Sequence, residues 1–84
     1  MTNEQIVNVT KKYSDFLTNM GVIESIRQND VPDSLNHVKW MLEQIPMFIE
    51  ENKIDKANRW LGFVQGVFWV RNFYNIGEMR DDNR

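Results

Sequence analysis

The sequence predicts an all-α protein, and three observations carry that prediction. Apolar residues recur at spacings of three and four through most of the chain. No strand-like alternation extends beyond a few residues. Only two prolines and four glycines punctuate the 84 residues. At this length the chain is one domain or a protomer of an oligomer. The expected architecture is an antiparallel helical hairpin over about residues 33–51 and 56–74, with an N-terminal helix over about 3–19 and a short C-terminal helix over about 76–82.

The first helix begins at Thr2, which with Gln5 fits a capping box that satisfies free backbone N–H groups. Ile6, Val9, Tyr13, Phe16, Leu17 and Met20 then fall on one helical face. Gly21 suits a left-handed C-terminal cap. Val22 to Asp30 admits two readings: one more apolar turn through Ile23 and Ile26, or a loop pinned to the core. Asp30-Val31-Pro32-Asp33-Ser34 reads as a helix start, because acids and Ser favour the positive end and Pro is tolerated in a first turn.

In the second helix, Leu35, Val38, Met41, Leu42, Ile45, Phe48 and Ile49 form the inner stripe. Pro46 removes the hydrogen bond to the carbonyl of Leu42, which predicts a kink or a break. Residues 51–54 form a short connection, with Asp55 as the expected N-cap of the third helix. Asn75 with Glu78 resembles a further cap ahead of the terminal helix, and the tail from Asp81 is expected to fray.

The third helix carries more apolar surface than one stripe needs. Ala57, Trp60, Leu61, Val64, Val67 and Phe68 make its core face, yet Phe63, Trp69, Val70 and Phe73 fall mostly outside it. Such a surface has to be covered, by other helices of the chain or by a second copy. A homo-oligomer is expected, and a symmetric dimer is the commonest kind. Trp40 and Met47, seven residues apart opposite the core stripe of the second helix, support it. Asn58, Gly62, Gln65, Gly66 and Asn72 share one side of the third helix, and the two glycines would let a partner backbone approach closely. The same side is equally readable as a solvated face. The candidate partner or oligomer interface is therefore Trp40, Met47, Gly62, Gln65, Gly66, Trp69 and Phe73.

Composition removes several kinds of chemistry. Without Cys there are no disulfides, thiolate metal sites or cysteine nucleophiles, and one His cannot build a histidine cage. Ten Lys+Arg against 12 Asp+Glu give a net charge of −2, which argues against general nucleic-acid binding. The longest apolar run, Val67 to Val70, is far too short to span a bilayer. The N-terminus does not read as a signal peptide, so a cytoplasmic location is expected. His37 has no activating carboxylate nearby in its helix, and Gly62 to Gly66 lacks the strand that a phosphate-binding turn requires. No catalytic residue, metal or cofactor is assigned, and the chain is read as non-enzymatic.

Two arginines stand out as candidate anion-binding groups. Arg71 projects near the centre of the core stripe, so it must pair with an acid such as Glu78 or Glu43, reach solvent at the helix end, or face an anion. Arg59 opposes the helix dipole in the first turn, where pairing with Asp55 is the plain explanation.

The segment Lys56-Ala57-Asn58-Arg59-Trp60-Leu61-Gly62-Phe63-Val64-Gln65-Gly66, followed by Glu78-Met79-Arg80-Asp81 and Asn83-Arg84, resembles a family of small tailed-bacteriophage proteins. His37-Val38-Lys39-Trp40-Met41-Leu42 fits the same pattern, whereas the first helix contributes nothing to it. The resemblance carries no activity. It implies a stoichiometric binder that blocks or redirects a host protein, in host takeover or anti-defence. Arg59-Trp60 and Gln65-Gly66 are also similar to pairs in phage helical-hairpin sponges that sequester cyclic nucleotides, although spacing and flanking residues differ. That likeness implies an oligomer holding a small anionic nucleotide but assigns no contact residues; the groups the chain itself offers are Arg59 and Arg71, with Trp and Tyr74 rings to stack. A structural or assembly component of a virion is the third reading.

Overall fold

The computed structural model describes residues 2–73 together with Glu78 and Asp81. Among these residues three helices form: α1 (Asn3–Asn19), α2 (Leu35–Glu50) and α3 (Ile54–Val70). The expected helix over 76–82 lies almost entirely outside the described residues, as do Tyr74 and Asn75.

Helix α1 matches its expected bounds. The Thr2 backbone N–H donates to Gln5 Oε1 at 2.7 Å, and the Gln5 N–H donates to Thr2 Oγ1 at 3.1 Å. Ile6, Val9, Tyr13 and Leu17 are buried, and Phe16 packs on the core from its edge. Met20, at the end of the stripe, is exposed because it already belongs to the C-cap.

All three helices stop in the same way. The residue after each C-cap adopts a left-handed backbone: Gly21 at φ 99°, Asn52 at φ 60° and Asn72 at φ 60°. The next N–H then reaches back five residues: Val22 to the Leu17 carbonyl at 2.9 Å, Lys53 to Phe48 at 2.7 Å and Phe73 to Phe68 at 2.8 Å. This Schellman arrangement satisfies carbonyls that the helix itself leaves open. Only Gly21 was expected as such a stop. The Asn72 stop ends α3 at Val70, four residues short of the expected 74.

Helix α2 starts at Leu35 rather than 33, since the backbone turns through residues 29–33 and Ser34 is the cap, accepting the His37 N–H at 3.2 Å. Pro46 does not break it. Four more helical residues follow, because buried Ile45 and Phe48 hold both sides of the proline in the core and its φ suits a helix. Helix α3 is capped by Lys53 without a side-chain bond, which places Asp55 inside the first turn rather than at the N-cap. Its carboxylate there faces the positive helix end.

Residues 22–33 form no regular element, so the pinned-loop reading is the correct one. The strap lies along α2: Ile26 N–H donates to the Asn36 carbonyl at 3.1 Å, Asn36 Nδ2 to the Glu24 carbonyl at 3.0 Å, and Ser25 Oγ to Glu43 Oε2 at 2.9 Å.

Helix α2 packs against both neighbours, and α2 with α3 forms a hairpin-like pair. Phe48 meets Trp60 close to the connection, at 4.7 Å between ring centroids. At the far end Asp33 meets Arg71. Phe68 and Tyr13 cross edge to face at 5.0 Å and fill the centre of the core. Lys39, only 7% exposed, crosses to α1 and donates to Thr18 Oγ1 at 2.5 Å and to the Ser14 carbonyl and hydroxyl at 3.3 and 3.4 Å. Its ammonium thus meets neutral oxygens near the negative end of the α1 dipole.

Candidate functional site

Three of the large apolar side chains exposed among the described residues, Phe63, Trp69 and Val70, sit together on the outer face of α3. The buried stripe of Ala57, Leu61, Val64, Val67 and Phe68 turns inward. Opposite it, Phe63 is 40% exposed, Trp69 52% and Val70 77%. Gly62 and Gly66 lie between these side chains, and a Cβ added at either would meet no atom within 4 Å. The result is an open, mainly apolar groove of about 420 Å³ running to the helix end, with Asp33 and Arg71 at its rim.

Two glycines in a helix cost about 1 kcal/mol each relative to Ala. A close contact usually offsets that cost, yet no atom of the described chain occupies the space they leave. The exposed aromatic and aliphatic groups stand next to the notch. Carbon surface flanked by a notch and two charges is suited to binding another surface.

The candidate interface residues separate into two groups. Gly62, Gly66 and Trp69 share the α3 face, and Phe63 and Val70 join them. Met47 is exposed, but on α2. Trp40 is only partly exposed. Half-buried, it packs on Trp60 at 5.7 Å and His37 at 5.4 Å, with the Arg27 guanidinium 5.3 Å from its ring centre. Gln65 faces inward as well, donating from Nε2 to the Tyr13 hydroxyl at 3.2 Å, which bridges α3 to α1. Phe73 is drawn back by the Asn72 stop onto Phe16 at 5.4 Å and Phe68 at 5.6 Å.

Arg71 is the C-cap of α3 and not a member of the core stripe. It is exposed, and its Nη2 donates to the Asp33 carbonyl at 3.1 Å, so it reaches solvent at the helix end and ties the strap to α3. Arg59 is exposed and has no hydrogen-bond or ion-pair partner among the described residues; the pair with Asp55 does not form. Twelve helical residues separate the two arginines, about 18 Å along the axis. One chain does not bring them to a single phosphate.

His37 is buried under the strap. Its Nδ1 accepts the Gln28 backbone N–H at 2.8 Å, and Ser34 Oγ donates to Gln28 Oε1 at 2.6 Å. The bond at Nδ1 assigns the ring proton to Nε2 in the neutral form. Burial first, and the nearby Arg27 charge second, hold its pKa below the usual value of 6.5.

Among the described residues no group of three or more His, Asp or Glu side chains is placed to hold a metal ion, and no helix is long and apolar enough to cross a membrane. Comparison with protein-family models, curated proteins and solved structures gave no match. Phe63 and Val70 were legible as apolar surplus in the sequence. Asp33 at the groove rim carried no signal, because its place depends on how the strap returns to the end of α3.

Proposed function

We propose that the chain acts without catalysis, by stoichiometric protein binding through the outer face of α3. The observation that carries the reading is the open glycine notch walled by exposed Phe63, Trp69 and Val70. Large aromatic groups beside a notch are what binding energy concentrates on, and soluble monomers rarely leave such patches uncovered. The likeness to small tailed-phage proteins gives the reading its biological direction, a host protein blocked or redirected.

A photo-reactive side chain tests it directly. Benzoylphenylalanine in place of Phe63, irradiated in the expressing cell, is expected to yield a covalent protein adduct of defined mass. The adduct should disappear with Trp69→Ala while circular dichroism shows unchanged helix content. If irradiation joins the chain to no protein at all, the face is not a protein-binding surface.

A further inference from the structure

We infer that the strap of residues 22–33 is a proton-operated latch: protonation of His37 releases it from α2 as a unit while the three helices stay folded. The latch goes beyond the binding role of α3 and does not depend on it.

One bond makes the device. The Gln28 backbone N–H donates at 2.8 Å to Nδ1 of the buried His37 ring. A second proton on the ring goes to that nitrogen, because Nε2 already carries the first. The imidazolium then sets N–H against N–H, and an attraction becomes a repulsion.

Little else holds the strap. Its large apolar side chains Ile23, Ile26 and Val31 are exposed, so burial contributes little. The Asn36 bond to the Glu24 carbonyl and the Ser25 bond to Glu43 are open to water, which competes for both. The Ile26 N–H on the Asn36 carbonyl and the Arg27 guanidinium on the Trp40 ring complete the ties. Helix α2 does not need the latch closed. The Ser34 hydroxyl that donates to Gln28 Oε1 also accepts the His37 N–H, so the helix cap survives when Gln28 leaves. Two turn bonds, Val31 N–H to the Gln28 carbonyl and Ser34 N–H to the Val31 carbonyl, link Gln28 to Asp33. Asp33 in turn accepts from Arg71 and lines the α3 groove, so release of the strap reaches the groove rim.

Among the described residues no carboxylate bonds to the charged ring. From the strap, Arg27 opposes it with like charge, and Glu24, Asp30 and Asp33 make no bond to it. On α2, Glu43 is engaged by Ser25, and Lys39 turns away to the neutral oxygens of Ser14 and Thr18 on α1. From α3, Lys56 lies over Phe48 and Trp60, and Arg71 is held at the Asp33 carbonyl. Burial and Arg27 keep the latched ring below its ordinary 6.5. The closed latch is therefore favoured above about pH 6.5, and its opening grows by up to about tenfold per pH unit as pH falls toward the lowered latched value.

Amide hydrogen exchange of the full chain, resolved by residue with NMR and taken relative to intrinsic rates, tests the latch between about pH 7.5 and 5. Protection of the Gln28 amide should fall by up to about tenfold per pH unit below 6.5. At each pH it should stay at least about a hundredfold below that of a core amide such as Val64, since the strap opens without the helices. His37→Asn keeps an acceptor that does not titrate, so its Gln28 protection should be flat with pH, with circular dichroism confirming the helices. Gln28 protection that ignores pH, that equals Val64 throughout, or that keeps its wild-type slope in the variant overturns the latch. The first two outcomes are read on the wild-type chain alone.

Discussion

Replacing Gly62 and Gly66 by Ala should make the isolated chain more stable, against the usual expectation for two substitutions on a candidate binding face. Neither glycine has positive φ, so the helical backbone accepts a side chain without strain. A Cβ at either position has nothing within 4 Å to meet, so there is no packing cost. What remains is the difference in helix propensity, about 0.8–1.0 kcal/mol per position. The two propensity terms sum to about 1.6–2 kcal/mol. At about 4–8 °C per kcal/mol for a domain of this size, the melting temperature rises by roughly 7–15 °C. The assay is thermal unfolding followed at 222 nm, repeated over a series of protein concentrations and extrapolated to dilution. Dilution matters because any partner that binds only the folded state adds to apparent stability. A fall in melting temperature under these conditions would show that the positions are occupied within the chain. The open-notch argument, and the binding face built on it, would then fail.

Two further expectations concern the core and the strap. Phe68→Ala removes a fully buried ring that touches Tyr13, Phe16 and Phe73, and should cost about 3–5 kcal/mol in urea unfolding; a loss below about 1.5 kcal/mol would mean that the centre of the core lies elsewhere. For His37 the folded-state pKa lies below the unfolded value near 6.5, so the unfolded chain takes up protons more readily. Stability should therefore be full above about pH 6.5 and fall as pH drops through the lowered folded value, as the Gln28 N–H loses its acceptor; a His37→Asn variant whose melting temperature kept the wild-type slope between pH 7.5 and 5.5 would remove this account.

Much of the fold was readable because local rules agreed with the global packing. Thr2 and Gln5 sit ahead of a regular apolar stripe, and α1 follows with the expected bounds. Where local and tertiary terms competed, reading along the chain was less reliable. Pro46 weakens α2 locally, but the burial of Ile45 and Phe48 outweighs that loss. Asn52 and Asn72 are ordinary residues on a helical wheel, and their left-handed conformation emerges only with the backbone reversal that seats the next residue. For the same reason Phe73 looked like outer surface and instead lies against Phe16. The excess on α3 was visible from spacing alone. That Trp40 and Gln65 are half-buried against partners was not, because Trp60 and Tyr13 stand 20 and 52 positions away.

The lysine between α1 and α2 bears on how many ways this chain can pack. Three helices with smooth apolar stripes have near-degenerate alternatives, reached by sliding one helix a turn, about 5.4 Å, along another. Leucine and isoleucine tolerate such slips well. Lys39 does not: its ammonium is satisfied only where Ser14 and Thr18 present three oxygens together. A slipped packing would strand a cation against hydrocarbon, at a penalty of several kcal/mol. A hydrophobic residue in its place would suit the intended arrangement and its neighbours about equally. Lys39 thus acts as a key cut for one lock, singling out one helix register from competitors that burial alone would barely distinguish.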